Sequence, residues 1–276
     1  MRLNNVFDRY ELFIVDLDGV LWRGNELIDG SIETINMLIS LGKSVVFMTN
    51  NSTKSRATYV DTLKEAGVNE VYVEQVYNSA YALAKYISET KKRVRAFIVG
   101  EEGLRRELEL VGVKTVCKPY LNIKANIVVV GLDRKLTYRK IAVAVKLIME
   151  GSKYYACNTD ATIPLEYGLA PGAGSIVSAI STASGREPEF IAGKPNTYMI
   201  DLCLRNYNVE REKVLLIGDR LDTDIKAARR AGIDSALVLT GVTRIEDLKN
   251  LENPPTYIIK SLSSICSTAK PLRYYS

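Results

Sequence analysis

The chain contains no histidine. That absence excludes Ser-His-Asp and Cys-His nucleophilic schemes and every histidine-ligated metal site, so any chemistry must run on carboxylates, lysine, hydroxyls and a hard metal ion. Cysteine is sparse as well. Cys117, Cys157, Cys203 and Cys266 lie far apart with no C-x-x-C pair, which argues against a thiolate zinc site or a disulfide frame and leaves four reduced structural residues. No apolar run approaches the length that spans a bilayer, and residues Met1 to Glu11 are too polar for a signal peptide, so a cytoplasmic protein without a membrane partner is expected. Without a secretory signal, the formal N-x-S/T sequons at Asn50 and Asn51 carry no glycosylation meaning. Low-complexity tracts are missing too. The 37 basic and 32 acidic residues give +5, scattered rather than gathered between aromatics, which favours small anionic ligands over nucleic acid.

What is present suits two globular units. The 276 residues, 47% apolar and 25% charged, have room for a core domain and a smaller companion. Short β-rich apolar runs alternate with amphipathic helical stretches, the pattern of an α/β fold with a Rossmann-like parallel sheet. The first run, Leu12 to Val15, ends in Asp16-Leu17-Asp18-Gly19, and the second, Ser44 to Met48, ends in Thr49-Asn50-Asn51-Ser52. Ile32, Ile35, Leu38 and Ile39 repeat at helical spacing between them, and a further helix reaches about Ala66 with Gly67 as its stop. A second such unit runs from Val214–Ile217 through a helix over about Asp224 to Ala231, closed by Gly232, to Ser235–Leu239. The middle has its own strands at Arg95–Val99, Ile127–Val130 and Tyr154–Cys157. The expected division is a core of residues 1–89 and 187–276 with an inserted α/β domain at 90–186.

In an open parallel sheet, ligands bind beyond the carboxyl ends of the strands. Four polar clusters stand at such places: Asp16 with Asp18, Thr49 with Asn50, Lys194 after Phe190-Ile191, and Gly218-Asp219 followed by Asp222 and Asp224. Two carboxylates as close as Asp16 and Asp18 repel unless a cation lies between them or one is protonated; a solvated turn is the plain alternative. Asp219 with Asp16 would supply the hard oxygen ligands that Mg²⁺ prefers. Thr49 offers a hydroxyl and Asn50 a backbone N–H, both suited to phosphate oxygens, and Lys194, fixed between Gly193 and Pro195, suits phosphate charge. At the start of a helix, Asp222 reads as a capping residue.

In order, the strings DLDGVLW (Asp16 to Trp22), TNNS (Thr49 to Ser52), PGAGS (Pro171 to Ser175), GKP (Gly193 to Pro195) and GDRLDTDI (Gly218 to Ile225) resemble the motifs of the haloacid dehalogenase superfamily of phosphatases, in its 4-nitrophenyl phosphatase or NagD-like branch. The resemblance runs from about residue 11 to 260. It implies a haloacid dehalogenase core with an inserted cap, and hydrolysis of small phosphorylated metabolites. It further implies that Asp16 attacks phosphorus and that Asp18 protonates the leaving group and then activates water. Asp16, the backbone carbonyl of Asp18 and Asp219 would hold Mg²⁺, with Asp224 orienting the metal's waters or Lys194, while Thr49, Asn50, Asn51 and Lys194 bind phosphate. A carboxylate is a weak nucleophile toward an anionic phosphate, so metal and lysine are needed to cancel charge first.

Pro171-Gly172-Ala173-Gly174 contains G-x-G, but Val177 stands where a dinucleotide fingerprint has its third glycine, so a Rossmann dehydrogenase is rejected and a turn from cap to core is expected. The segment Asn158 to Leu165 corresponds to the substrate-facing loop of the branch. Ile163 either meets the substrate, where pyridoxal-phosphate phosphatases carry histidine, or packs inside the cap. A receiver-type signalling domain is too short a scheme for this chain, and a non-catalytic phosphate binder would not need Asp18. The substrate stays open among phosphoglycolate, sugar phosphates, glycerol phosphate and nucleotides, and the sequence is compatible with a homo-oligomer without requiring one.

Overall fold

The structure, a computed structural model, describes residues 3–91, 93–120, 122–165, 168–249 and 251–266. The last expected core residues, 267–276, lie outside the described ones.

Two parallel sheets organise the chain. The first has six strands in the order Tyr257–Ile259, Asp234–Val238, Val214–Gly218, Leu12–Val15, Ser44–Thr49 and Val76–Asn78. The second has five, in the order Phe190–Ile191, Lys153–Ala156, Ile127–Val130, Arg95–Val99 and Lys114–Val116. Leu12–Val15 is buried along its whole length, as a central parallel strand covered on both faces must be. Alternation then sorts the side chains: Leu12, Ile14, Val46, Met48 and Leu216 enter one apolar cluster, whereas Phe13, Val15, Val45, Phe47 and Leu215 enter another on the opposite face. Helices Ser31–Ser40 and Arg56–Glu65 follow the sequence pattern, the second capped by Ser55, whose hydroxyl accepts from Thr58 N at 3.2 Å. Helix Lys226–Ala231 ends at Gly232 with φ of 67°, after a wide turn over Leu221–Ile225.

Two expectations change. Phe190–Ile191, which leads to Lys194, pairs with Tyr155 and Ala156 at the edge of the second sheet and not with the first, a partnership its two residues cannot announce. Pro171-Gly172-Ala173-Gly174 is not a return from cap to core. Pro171 is the last residue of a hairpin of Thr162–Leu165 with Gly168–Pro171, and Gly172 leads into helix Ala173–Ser184, whose Ile176, Val177 and Ile180 pack against the second sheet. A Cβ at Gly174 would run into the Thr159 carbonyl, so glycine lets the helix start against that loop. Among the described residues no helix is long and apolar enough to cross a membrane.

Candidate active site

The register of the first sheet sets Val15 level with both Phe47 and Ile217, so the residues after these strands emerge side by side. They include Asp16, Thr49 with Asn50, and Asp219. Asp16 N–H donates to Ile217 O at 2.9 Å, extending the ladder one residue into the site. Gly19 then takes φ of 83°, and a Cβ there would collide with the Asp219 carboxylate, so the turn after Asp18 lies directly against the neighbouring strand end.

Lys194, only 2% exposed, reaches in from the second sheet's edge strand. Its ammonium donates to Asp16 Oδ1 at 2.6 Å, Asp224 Oδ1 at 2.6 Å and Met48 O at 3.1 Å, one acceptor for each of its three protons. Burial pulls the lysine's pKa down, but the charges of Asp16 and Asp224 raise it further, and the cation is held. Asp16 goes well above the ordinary carboxylate range, first through burial, with Asp224 and Asp219 adding to the rise and Lys194 opposing it. Burial and then the neighbouring Asp224 push Asp219 up to about 7, and burial also raises Asp18, against the Trp22 indole N–H that donates to Asp18 Oδ1 at 3.0 Å.

These carboxylates have a common remedy. Asp16, Asp219 and Asp224 each bring an oxygen within 4.8 Å of the others. Three carboxylates facing one ammonium leave two negative charges uncompensated in a buried place, and the donors are hard oxygens, so the site fits a divalent ion of the Mg²⁺ kind. Asp224 is bound at both oxygens, by Lys194 at Oδ1 and by Arg220 N at 3.2 Å and the Thr223 hydroxyl at 3.4 Å on Oδ2, which suits a residue that orients its neighbours.

The Thr49–Asn51 turn closes on itself. Asn51 N–H donates to Thr49 Oγ1 at 3.1 Å, and Asn51 Oδ1 accepts from Thr53 N at 3.0 Å and its hydroxyl at 2.8 Å. The Asn50 side chain turns away to the Lys194 backbone. The cavity above has a volume of about 410 Å³ and is lined by Asp16, Asp18 and Lys194, by Arg134 and Asp160 from loops after strands of the second sheet, and by Ile163 of the hairpin strand Thr162–Leu165.

Residues 13–114 match the family model described as haloacid dehalogenase-like hydrolase, and residues 191–265 match that described as HAD-hydrolase-like. The chain is 36% identical over 254 residues to an acid sugar phosphatase of Staphylococcus epidermidis, spanning 92% of this chain and 96% of that one. The chain belongs to the haloacid dehalogenase-like hydrolases. Among solved members of this family, the 4-nitrophenylphosphatase of Thermotoga maritima superposes with a TM-score of 0.88 at 36% identity, covering 96% of this chain and 100% of that one. A glycerol phosphate phosphatase of Mycobacterium tuberculosis, solved in complex with magnesium, gives 0.85 at 32% identity, covering 96% and 79% respectively. The likeness to 4-nitrophenylphosphatases is that of the NagD-like branch, and the protein is a phosphoric monoester hydrolase.

Within this haloacid dehalogenase frame, the structure adds residues that the sequence did not single out. Trp22 binds Asp18, and Tyr59, buried beside the Thr49–Asn51 turn, donates to Asn51 O at 3.4 Å. Asp222, expected as a cap, instead forms a fork with Arg220 at 3.1 and 2.9 Å, because the wide turn at Leu221–Ile225 presents no cap position to it. Asp160 is the most consequential addition. Burial raises its pKa to about 6, and its carboxylate lies against Asn50. Its N-x-D context in the substrate-facing loop was the only signal available.

Proposed function

We propose that the protein is a magnesium-dependent phosphatase of small phosphate monoesters that works through an aspartyl-phosphate on Asp16. The observation that carries this reading is the Lys194 ammonium at 2.6 Å from Asp16 Oδ1, inside a buried cluster of three carboxylates at the strand ends. Lysine fixes which carboxylate oxygen is engaged, and the opposite oxygen of Asp16 is the one to attack phosphorus. Asp18, tethered by Trp22 two residues further into the loop, protonates the departing oxygen and later takes a proton from the water that opens the acyl phosphate. Mg²⁺, held by Asp16, Asp219 and the Asp18 carbonyl, would cancel charge on the phosphoryl oxygens. Thr49, Asn50 and Asn51 supply the turn that receives the phosphate, and Asp224 keeps Lys194 aimed. The insertion at 90–186 serves as the cap, and a cavity of about 410 Å³ between the two sheets suits a small ester.

Turnover of p-nitrophenyl phosphate tests the reading. Mg²⁺ should be required and EDTA should silence the enzyme. Asp16→Asn should fold, since the amide keeps the shape, and should lose turnover by about 10³-fold or more, as removal of nucleophile and metal charge together demands. Activity of Asp16→Asn within tenfold of wild type, or full activity after thorough chelation, would overturn it.

A further inference from the structure

The second sheet reaches the phosphate site through one carboxamide. Asn50 engages both amide protons and the oxygen of its side chain: Oδ1 accepts from Lys194 N at 2.8 Å, and Nδ2 donates to Lys194 O at 2.9 Å and to the Asp160 carboxylate at 2.9 and 3.1 Å. The first two bonds clamp the backbone of the residue whose ammonium touches Asp16 and Asp224. The third comes from a loop of the other sheet. That loop is itself built to hold position: Asp160 N donates to Asn158 Oδ1 at 3.1 Å, Gly174 N to Asp160 O at 2.9 Å, and Asn158 Nδ2 to Asn50 O at 2.7 Å. Asn50 is 7% exposed and Asn158 3%, so these are low-dielectric bonds, and the one to a carboxylate is charge-assisted.

We propose that Asp160 is a positioning residue for the phosphate site, acting through Asn50 to fix the Lys194 backbone and hence the ammonium beside Asp16. The chemistry of the carboxamide explains why an anion serves. Turned over, Asn50 would aim its oxygen at both the Lys194 carbonyl and the Asp160 carboxylate, and three acceptors would face each other without a proton. Asp160 therefore locks the orientation in which Asn50 offers its oxygen to Lys194 N–H. The catalytic part of this proposal rests on the phosphatase reading above; the positional part does not.

Two measurements separate them. Hydrogen exchange reads the Lys194 amide directly, because its acceptor is Asn50 Oδ1. Asp160→Ala should lower protection of that amide about tenfold or more while strand Leu12–Val15 keeps its protection, and Asp160→Asn, which still offers an oxygen to Asn50, should restore most of it. On p-nitrophenyl phosphate, Asp160→Ala should lower kcat about 10- to 100-fold, the scale of a small misplacement in a reacting group. Adding it to Asn50→Ala should cost less than about twofold more, since the path through Asn50 is already cut. Asp160→Ser, too short to reach Asn50 but tolerant of a partly wet loop, repeats the comparison if the alanine variant folds poorly. Unchanged protection of Lys194 overturns the positioning role whatever the kinetics, and lost protection with unchanged kcat overturns its bearing on catalysis, as do fully additive losses in the double variant. Should wild type fail to turn over the ester, the phosphatase reading falls while hydrogen exchange still decides the position.

Discussion

A lysine with three acceptors and a carboxylate beneath an indole are arrangements that single residues make, and the reaction can be divided among them residue by residue. Asp18 has two duties, protonating the leaving group and deprotonating water, and a choice of leaving group separates them. Asp18→Asn keeps an oxygen for the Trp22 indole, so the loop should hold its shape. Nitrophenolate departs without a proton, whereas an alkoxide needs one. Rapid-quench kinetics of Asp18→Asn with p-nitrophenyl phosphate should therefore give a stoichiometric burst followed by turnover slowed about 10²- to 10⁴-fold, with phosphate trapped on Asp16, while an alkyl phosphate gives almost no burst. Equal damage to the first step for both esters would leave Asp18 a structural residue. As candidates, Asp16 and Asp219 were legible in the sequence because each stands at the end of a buried apolar run, Asp18 because it lies one residue further into the same loop, and Lys194 through its place between Gly193 and Pro195. Asp160 and Tyr59 were not, since their partners Asn50 and Asn51 lie in a different unit or a turn away, and no local pattern encodes that meeting.

Among the elements, long central strands could be read and short edge ones could not. Leu12–Val15, Arg95–Val99 and Ile127–Val130 are the runs the sequence marks, whereas Val76–Asn78, Tyr257–Ile259 and the hairpin of Trp22–Arg23 with Glu26–Leu27 carry too few residues to show a period. The same limit explains Phe190–Ile191, whose sheet is chosen by pairing with Tyr155 and Ala156. Helix Ala173–Ser184 offers a test of how elements position the site. Its start is pressed on the loop of Thr159 and Asp160, and a Cβ at residue 174 meets backbone that cannot rotate away. Gly174→Ala should lower stability by about 1–3 kcal/mol in urea unfolding with an unchanged m-value, as overpacking does, and should reduce turnover together with it because Asp160 moves. A variant within about 0.5 kcal/mol of wild type and equally active would mean that the loop yields, and that Gly174 answers to something other than this contact.

Across the whole molecule, the division into core and insertion drawn from the sequence meets a physical continuity. One apolar cluster takes Leu12, Ile14, Val46 and Met48 from the first sheet and Ala96, Ile98, Ile127 and Val129 from the second, joined by Leu83 and Ile87 of helix Ser79–Thr90 and by Leu104 and Leu108 of helix Glu102–Leu110. Buried Glu107 adds a polar tie, accepting from Arg56 N at 2.7 Å and Arg56 Nε at 3.3 Å. Two sheets that bury their facing sides against the same helices cannot part without exposing a shared core, and the energy of that exposure couples their unfolding. The chain should therefore unfold in a single transition, with van't Hoff and calorimetric enthalpies in agreement. Leu83→Ala in the shared cluster and Leu147→Ala on the far face of the second sheet, both fully or nearly buried, should each cost about 2–5 kcal/mol. Both should shift that one transition as a whole. If calorimetry resolved two transitions and Leu147→Ala moved only one of them, the insertion would be an independent folding unit, and the alignment of Asp160 with Asn50 would depend on docking between two bodies instead of on a common core.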